Sequence, residues 1–245
     1  MPKISIIIAT YNSGRTLRAA LESVHSQTFQ NWECIIVDGA SKDDTIDIVK
    51  EYCAKDSRFR YISEPDNGIY DAFNKGWRMA KGEWIHYLGS DDTLTFDGMS
   101  KVVAELDDTY AIVTGNVYLH RVDGTVKEQQ YNGYFGCHQG VLMQRRAIAT
   151  LNGFDEYYQI LADYDLLVRN FRTGNKVKNV PSVIANFTVG GESQKLSSQW
   201  EKMKERYWIY RRNHVTRFPF LRSFSEYLSM SSALIYRNFI NCFNK

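Results

Sequence analysis

Three apolar runs in this sequence end in the residues best suited to chemistry. Thr10-Tyr11-Asn12 closes the first run, Asp38-Gly39 the second and Gly89-Ser90-Asp91-Asp92 the fourth. Together they offer a hydroxyl, an aromatic ring and three carboxylates. One Asp after a strand is often only a turn former, but three run ends with the same pattern point to a shared site. Adjacent carboxylates suit a hard divalent cation. Magnesium takes only one or two protein carboxylates and fills its shell with water and phosphate oxygens, so the pattern indicates a diphosphate ligand. Two common phosphate-binding devices are missing. Ala9-Thr-Tyr-Asn-Ser-Gly14 stands where G-x-G-x-x-G would follow the first strand, and no G-x-x-x-x-G-K-[ST] occurs.

Such a site needs a scaffold that brings several strand ends to one edge. Lys3 to Ala9 reads as a strand buried on both faces, and Glu33 to Asp38 as a second. Leu17, Leu21 and Val24 recur at helical spacing between them. Ser41 and Asp44 form a capping-box pattern before Ile46, Val49 and Cys53. Arg58 to Ile62 is a third strand, Ile69 to Ala80 a third helix ended by Gly82, and Glu83 to Leu88 a fourth strand. This alternation predicts a parallel sheet with helices on both faces, whose ligands lie beyond the carboxyl ends of the strands. The rhythm changes after residue 95. A helix is expected near 97–107, strands at 111–114, 116–121 and 126–131 around the turn Asp123-Gly124, a helix near 163–172 and an extended stretch near 177–189. Two helices, separated by Phe218-Pro219, end the chain.

Composition agrees with a globular enzyme-sized domain. Hydrophobic residues make up 44%, charged 24% and aromatic 14% of 245 residues, which excludes a disordered, collagen-like or coiled-coil chain. No run is long enough for a membrane span, and Met1-Pro2-Lys3 leads straight into a strand, so no signal peptide is expected. Four Cys without close pairing suit free thiols in a reducing cytoplasm. Residues 1–198 carry 21 Lys and Arg against 25 Asp and Glu, whereas 199–245 carry 9 against 3. The body is mildly acidic and the tail basic, which directs the tail to something anionic. An acidic body without a recognised motif argues against nucleic acid.

The sequence resembles the family-2 glycosyltransferases and, through them, the GT-A nucleotide-sugar fold. The likeness covers roughly residues 3–190. It rests on Ser5-Ile-Ile-Ile-Ala-Thr-Tyr-Asn12, Val37-Asp-Gly-Ala-Ser-Lys-Asp-Asp-Thr45, Gly68-Ile-Tyr-Asp-Ala-Phe-Asn-Lys-Gly76, Gly82-Glu-Trp-Ile-His-Tyr-Leu-Gly-Ser-Asp-Asp92, Cys137-His-Gln139 and Ala162-Asp-Tyr-Asp-Leu-Leu-Val-Arg169. Bacterial transferases that build surface polysaccharides are the most similar. The resemblance implies an α/β catalytic domain over 1–196 built on a mixed sheet flanked by helices, with a nucleotide-sugar half to about 95, an acceptor half to 196, and a helical extension over 197–245.

The resemblance also implies roles. Thr10 and Tyr11 border the nucleobase beside Asn12, and Asp38 accepts a hydrogen bond from the base. Ser90-Asp91-Asp92 occupies the place of the D-x-D motif. Asp91 is a ligand of Mn²⁺ or Mg²⁺, and Asp92 supports the ribose or the metal water. Gly89 replaces the first Asp of that motif, and Phe73 an Arg that contacts the diphosphate in many relatives, which leaves charge neutralisation to the cation and another base such as Lys75. Asp163, with Ala162 before it, matches the base that takes a proton from the acceptor hydroxyl in an inverting transfer. It also suits the cap of the helix that follows, and Asp165 is the alternative base. His138 and Gln139 fall on the acceptor side, or are structural. Asp66-Asn67 reads as a helix cap, Asp71 and Asn74 share a helix face that could line the sugar pocket, and Gly190-Gly191 is a hinge or a turn.

In the tail, aromatic and basic residues interleave from Trp200 to Asn213. Phe218, Phe220, Leu221, Phe224, Tyr227, Leu228, Leu234, Ile235, Phe239 and Phe243 follow, with Arg217, Arg222 and Arg237. Residues 217–243 fit an interfacial helix at the inner face of the cytoplasmic membrane; a homo-oligomer contact or packing on the chain's own domain are the alternatives. The expected activity is an inverting, metal-dependent transfer from a nucleotide-diphospho-sugar, UDP favoured, to a glycan or polyprenyl-diphosphate-linked acceptor. Processive synthesis is not expected, for Q-x-x-R-W is absent. A sugar nucleotidyltransferase would want a Gly/Arg/Lys-rich loop where only Gly14-Arg15 stands. An inactive nucleotide-sugar-binding module has no need of Asp91 or Asp163.

Overall fold

The structure, a computed structural model, describes residues 1–131, 138–190 and 196–230. Strands β1 (Ile4–Thr10), β2 (Trp32–Asp38), β3 (Phe59–Ser63) and β4 (Trp84–Gly89) alternate with helices α1 (Leu17–His25), α2 (Thr45–Lys55) and α3 (Ile69–Met79). Every residue of β1 and β2 is buried, because each strand has a neighbour on both sides and helices on both faces. The alternation of side chains explains the pattern. Ile4, Ile6 and Ile8 pack against Leu17, Leu21, Ile48 and Val49 on one face, while Ile7, Ile35 and Val37 meet Tyr70, Ala72 and Phe73 on the other.

The chain continues with β5 (Thr93–Leu94), α4 (Gly98–Val103), β6 (Tyr110–His120), β7 (Val126–Gln129), β8 (Val141–Gln144), α5 (Arg145–Thr150), α6 (Ala162–Arg172), β9 (Lys176–Thr188) and α7 (Gln199–Arg212). Residues 219–230 are helical as well. The sheet runs β3-β2-β1-β4-β8-β6-β9-β5, with β7 paired to β6. The parallel run read from the β-α alternation is β3-β2-β1-β4, and the sheet as a whole is mixed, as the resemblance implied. The four-residue strand β8 then inserts antiparallel between β4 and β6 and makes the sheet mixed. The chain order reverses between β1 and β4, which is the position where open α/β sheets hold their ligands.

Several local expectations change. The two strands foreseen at 111–114 and 116–121 are one, because the Gly115-Asn116 break is a register shift against β9 rather than a turn. The helix near 97–107 stops at Val103, and Asp107 forms a turn by accepting the Thr109 N–H. Ser41 does not cap α2. Its N–H and hydroxyl both go to Asp38, while Asp43 accepts the Thr45 N–H instead. The third helix is closed at Ala80, and the Gly82 N–H goes to Ser5 Oγ. Cys34 and Cys53 are free thiols; Cys137, Gly191 and the tail residues Leu234, Ile235, Arg237, Phe239 and Phe243 lie outside the described residues.

Candidate active site

The loops after β1, β2 and β4 are bound into one edge. Asn12, in the left-handed region at φ 49°, accepts the Lys42 N–H through its amide oxygen at 2.9 Å, and its own N–H goes to Ser41 Oγ at 2.8 Å. Asn tolerates that conformation better than most residues. Asn12 thus ties the β1 loop to the β2 loop and has a structural post beside the expected ligand. Ser13 and Ser90 join their hydroxyls at 3.0 Å, which links the β1 and β4 loops. Tyr11 is left with 64% of its surface exposed, free to face a planar ring. The neighbouring Thr10 hydroxyl is buried without a hydrogen-bond partner among the described residues.

Asp38 is fully buried, and its carboxylate accepts from Ser41 N–H, Ser41 Oγ and Ser63 Oγ. Three of its roughly four acceptor sites are thus taken within the protein. Asp91 is exposed, and no hydrogen bond to its carboxylate occurs among the described residues. Asp92 is the opposite: 2% exposed, it accepts from Thr188 N–H at 2.8 Å and from Gln139 Nε2 at 2.6 Å. Burial lifts its pKa to about 6; the nearby Asp91 charge adds to this, and the two donors oppose it. Gly89 has a steric reason to replace the larger residue of the resemblance. A Cβ there would stand 2.4 Å from Asp92 Oδ2.

Asp163 sits in the first turn of α6, with its Oδ2 3.5 Å from His138 Nδ1. Its Oδ1 accepts the Tyr164 N–H at 2.8 Å and the Tyr70 hydroxyl at 3.2 Å. Burial works to raise the Asp163 pKa. The facing His138, the Tyr164 N–H and the Tyr70 hydroxyl more than offset it and hold the carboxyl below its ordinary value. The group is therefore ionised and half-buried, as a proton acceptor should be. His138 and Asp163 stand at the rim of a small apolar cavity lined by Ile85, Tyr87, Val141, Met143 and Leu166. The Phe73 ring meets the His138 ring edge-on at 6.2 Å. Phe73 is 2% exposed, so it props the imidazole and does not reach solvent.

Other expected residues are engaged elsewhere. Asn74 is 1% exposed and has used all of its hydrogen-bonding capacity. It donates to Phe154 O and Glu156 Oε1 and accepts from Trp77 Nε1 and Phe154 N. It fixes the 153–156 loop, with no group left for a sugar. Asp71 accepts the Asn67 N–H and pairs with Lys75 at 3.5 Å. Lys75 also binds Glu64 and Pro65 O, so it is not a free cation. Asp66 forms a turn to the Gly68 N–H instead of capping α3 directly. Asp165 is buried against Arg169 at 2.6 Å and Asn213, away from His138.

Lys202 was not expected. It is 8% exposed and forms no hydrogen bond or ion pair among the described residues. Burial lowers its pKa, Arg206 repels its charge and Asp163 attracts it. The available signal was helical spacing: Lys202 and Ile209, and Met203 and Tyr210, are seven apart and share the buried side of α7.

Residues 5–160 match the family described as Glycosyl transferase family 2. The chain belongs to glycosyltransferase family 2. It is accordingly a glycosyltransferase, and the nucleotidyltransferase alternative falls away. Among family-2 relatives, a PGL/p-HBAD biosynthesis glycosyltransferase of Mycobacterium bovis is 32% identical over 184 residues, 69% of this chain and 70% of that protein. The structure of Staphylococcus aureus TarS 1–349 with UDP-GlcNAc superposes with a TM-score of 0.70 at 18% identity, over 97% of this chain and 72% of the other. The mannosyltransferase PcManGT of Pyrobaculum calidifontis, solved with GDP-Man and Mn²⁺, gives 0.72 at 16%, over 96% and 74%. These likenesses show the GT-A fold.

Proposed function

We propose that the protein transfers a sugar, with inversion, from a UDP-sugar to a glycan or lipid-linked acceptor in surface polysaccharide synthesis. The observation that carries this reading is the consecutive pair His138-Gln139. His138 faces Asp163 and Gln139 holds Asp92, so one short turn joins the proton acceptor to the diphosphate end of the site. Asp163 takes the acceptor hydroxyl's proton as its oxygen bonds to the anomeric carbon. The bond from that carbon to the diphosphate oxygen breaks, and the nucleoside diphosphate leaves with the electron pair. The transition state resembles the oxocarbenium ion of glycoside hydrolysis.

The acidic pair fits a divalent cation. Asp91 has a free carboxylate, and Asp92 is a desolvated carboxylate strained by a like charge. Among the described residues no cluster of three ligands exists, which agrees with a cation anchored mainly by Asp91 and completed by phosphates and water. Such a cation would neutralise charge on the departing diphosphate. Lys202, buried and without an ion pair among the described residues, is the protein's own candidate for the same charge.

Thermal shifts with UDP-, GDP- and ADP-sugars, with Mn²⁺ or EDTA, test the donor assignment. A cation-dependent shift with UDP-sugars is expected, and Lys202→Met should weaken UDP binding about tenfold while sparing the fold. A shift with GDP-sugars alone would refute the UDP assignment. His138 has its own signature. In His138→Ala, burial of Asp163 persists and the facing imidazole is gone, so the carboxyl pKa rises. The acid limb of the kcat profile, read as UDP release from donor, is then expected to move to higher pH; an unmoved limb would show that His138 does not tune Asp163.

The acceptor is proposed to reach the site from a membrane surface. Phe218, Phe220, Leu221 and Leu228 are all more than half exposed, and Arg211 and Arg217 line a groove with Phe218, Phe220 and Leu221. No described helix is long and apolar enough to cross a membrane, so the attachment would be interfacial. Co-sedimentation with vesicles containing phosphatidylglycerol, lost in Phe220→Ser/Leu221→Ser, is expected. Equal pelleting of the variant would remove this surface from the account.

A further inference from the structure

Helix α7 reaches the active site through one carboxylate. Glu205 accepts three successive backbone N–H groups: Gln159 at 2.7 Å, Ile160 at 3.1 Å and Leu161 at 2.8 Å. These residues lead directly into α6, whose first turn carries Asp163. The first N–H groups of a helix lack partners within it, and α6 has no side-chain cap of its own. Glu205 serves the peptide groups just ahead of the helix, and its negative charge suits the positive helix end.

The same segment is gripped from the opposite side. The Tyr70 hydroxyl donates to Ile160 O at 2.7 Å and also lies 3.2 Å from Asp163 Oδ1. Residues 159–161 are thus held by Glu205 at their N–H groups and by Tyr70 at a carbonyl. The base follows two residues later. Helix α7 is a firm support for this contact: Ile209 and Tyr210 are at most 1% exposed in the core, and Asn213 reaches Asp165 at 3.1 Å.

We propose that Glu205 is a positioning residue for the reaction, fixing residues 159–161 and through them the first turn of α6, so that the Asp163 carboxylate stands ready for the acceptor hydroxyl. The inference rests on Asp163 being the base. It makes α7 part of the catalytic apparatus, although the sequence places it in a basic, aromatic extension. A misplacement of about 1 Å in such a group costs up to about 10²-fold in rate.

The test uses the full chain, UDP release from the UDP-sugar identified by thermal shift, and amide hydrogen exchange. Glu205→Ala is expected to lower kcat about 10²-fold with the donor KM within about twofold, and to speed exchange at 159–163 while α7 stays protected. Glu205→Gln keeps one carbonyl acceptor where the carboxylate uses both oxygens, so it should recover only part of the rate. The double variant Asp163→Asn/Glu205→Ala should be no slower than Asp163→Asn alone, since Glu205 acts through the base. Unchanged kcat in Glu205→Ala, with Asp163→Asn inactive, overturns the positioning role and leaves the base intact. A double variant a further 10²-fold slower also overturns it, as does unchanged exchange at 159–163. If Glu205→Ala does not fold, Glu205→Gln with full kcat and unchanged exchange has the same force in contradiction, and reduced kcat with faster exchange the same force in support. Wild-type kcat in Asp163→Asn overturns the base reading, and this role falls with it.

Discussion

Replacing Asp163 by Asn is expected to reduce sugar transfer about 10²–10⁴-fold, the usual contribution of a general base, while the affinity for UDP-sugar changes less than about threefold. Asn keeps the volume and can still accept the Tyr164 N–H and Tyr70 hydroxyl, so the first turn of α6 should stand. What it cannot do is take a proton. The carboxylate is prepared for that step by its surroundings. Burial works to raise its pKa, and His138 with the two donors more than offsets this and holds it below the ordinary value. The measurement is kcat from UDP release alongside UDP-sugar binding by calorimetry. A variant that loses binding and rate together would assign Asp163 to the donor, and one that keeps its rate would remove it from the chemistry.

Asp91→Ala is expected to lower turnover about 10²–10³-fold, the scale of losing one preorganised electrostatic contact to the leaving group, and to erase the difference between Mn²⁺ and EDTA in thermal shift. The fold should survive, because no hydrogen bond to the Asp91 carboxylate holds the structure together among the described residues, whereas Asp92 anchors Thr188 and Gln139. Asp92→Ala should therefore lower the melting temperature, and Asp91→Ala should leave it nearly unchanged without ligand. Persistent Mn²⁺ dependence in Asp91→Ala would move the cation elsewhere.

The strand ends were legible because burial on both faces leaves a mostly apolar signature, broken inside the strands by Ser5, Glu33 and His86, and polar residues gather at the edge. Thr10, Asp38 and Asp91 each follow directly from that rule. The second half was less legible. Strand β8 has four residues and no alternation, since both of its faces are covered, and Gly115-Asn116 looks like a turn although it is a bulge within β6. Side-chain allegiance was harder still. Asn74 and Asp71 share a helix face, yet Asn74 turns to the 153–156 loop, 80 residues away in sequence. Lys202 and Glu205 look like surface charges in a solvated helix. Helical spacing marks Lys202 as buried, but the contacts of Glu205 with the N–H groups of 159–161 join distant parts of the chain, which no local pattern encodes.

A single displacement driven by Asp163 is read directly in the stereochemistry of the product. An α-linked UDP-sugar is incubated with the enzyme and Mn²⁺, with water as the acceptor, and the first free sugar formed is followed by proton NMR before it mutarotates. Direct attack by base-activated water on the far face of the anomeric carbon gives the β anomer first, and that is the expected result. The α anomer appearing first would mean retention and would contradict the role assigned to Asp163.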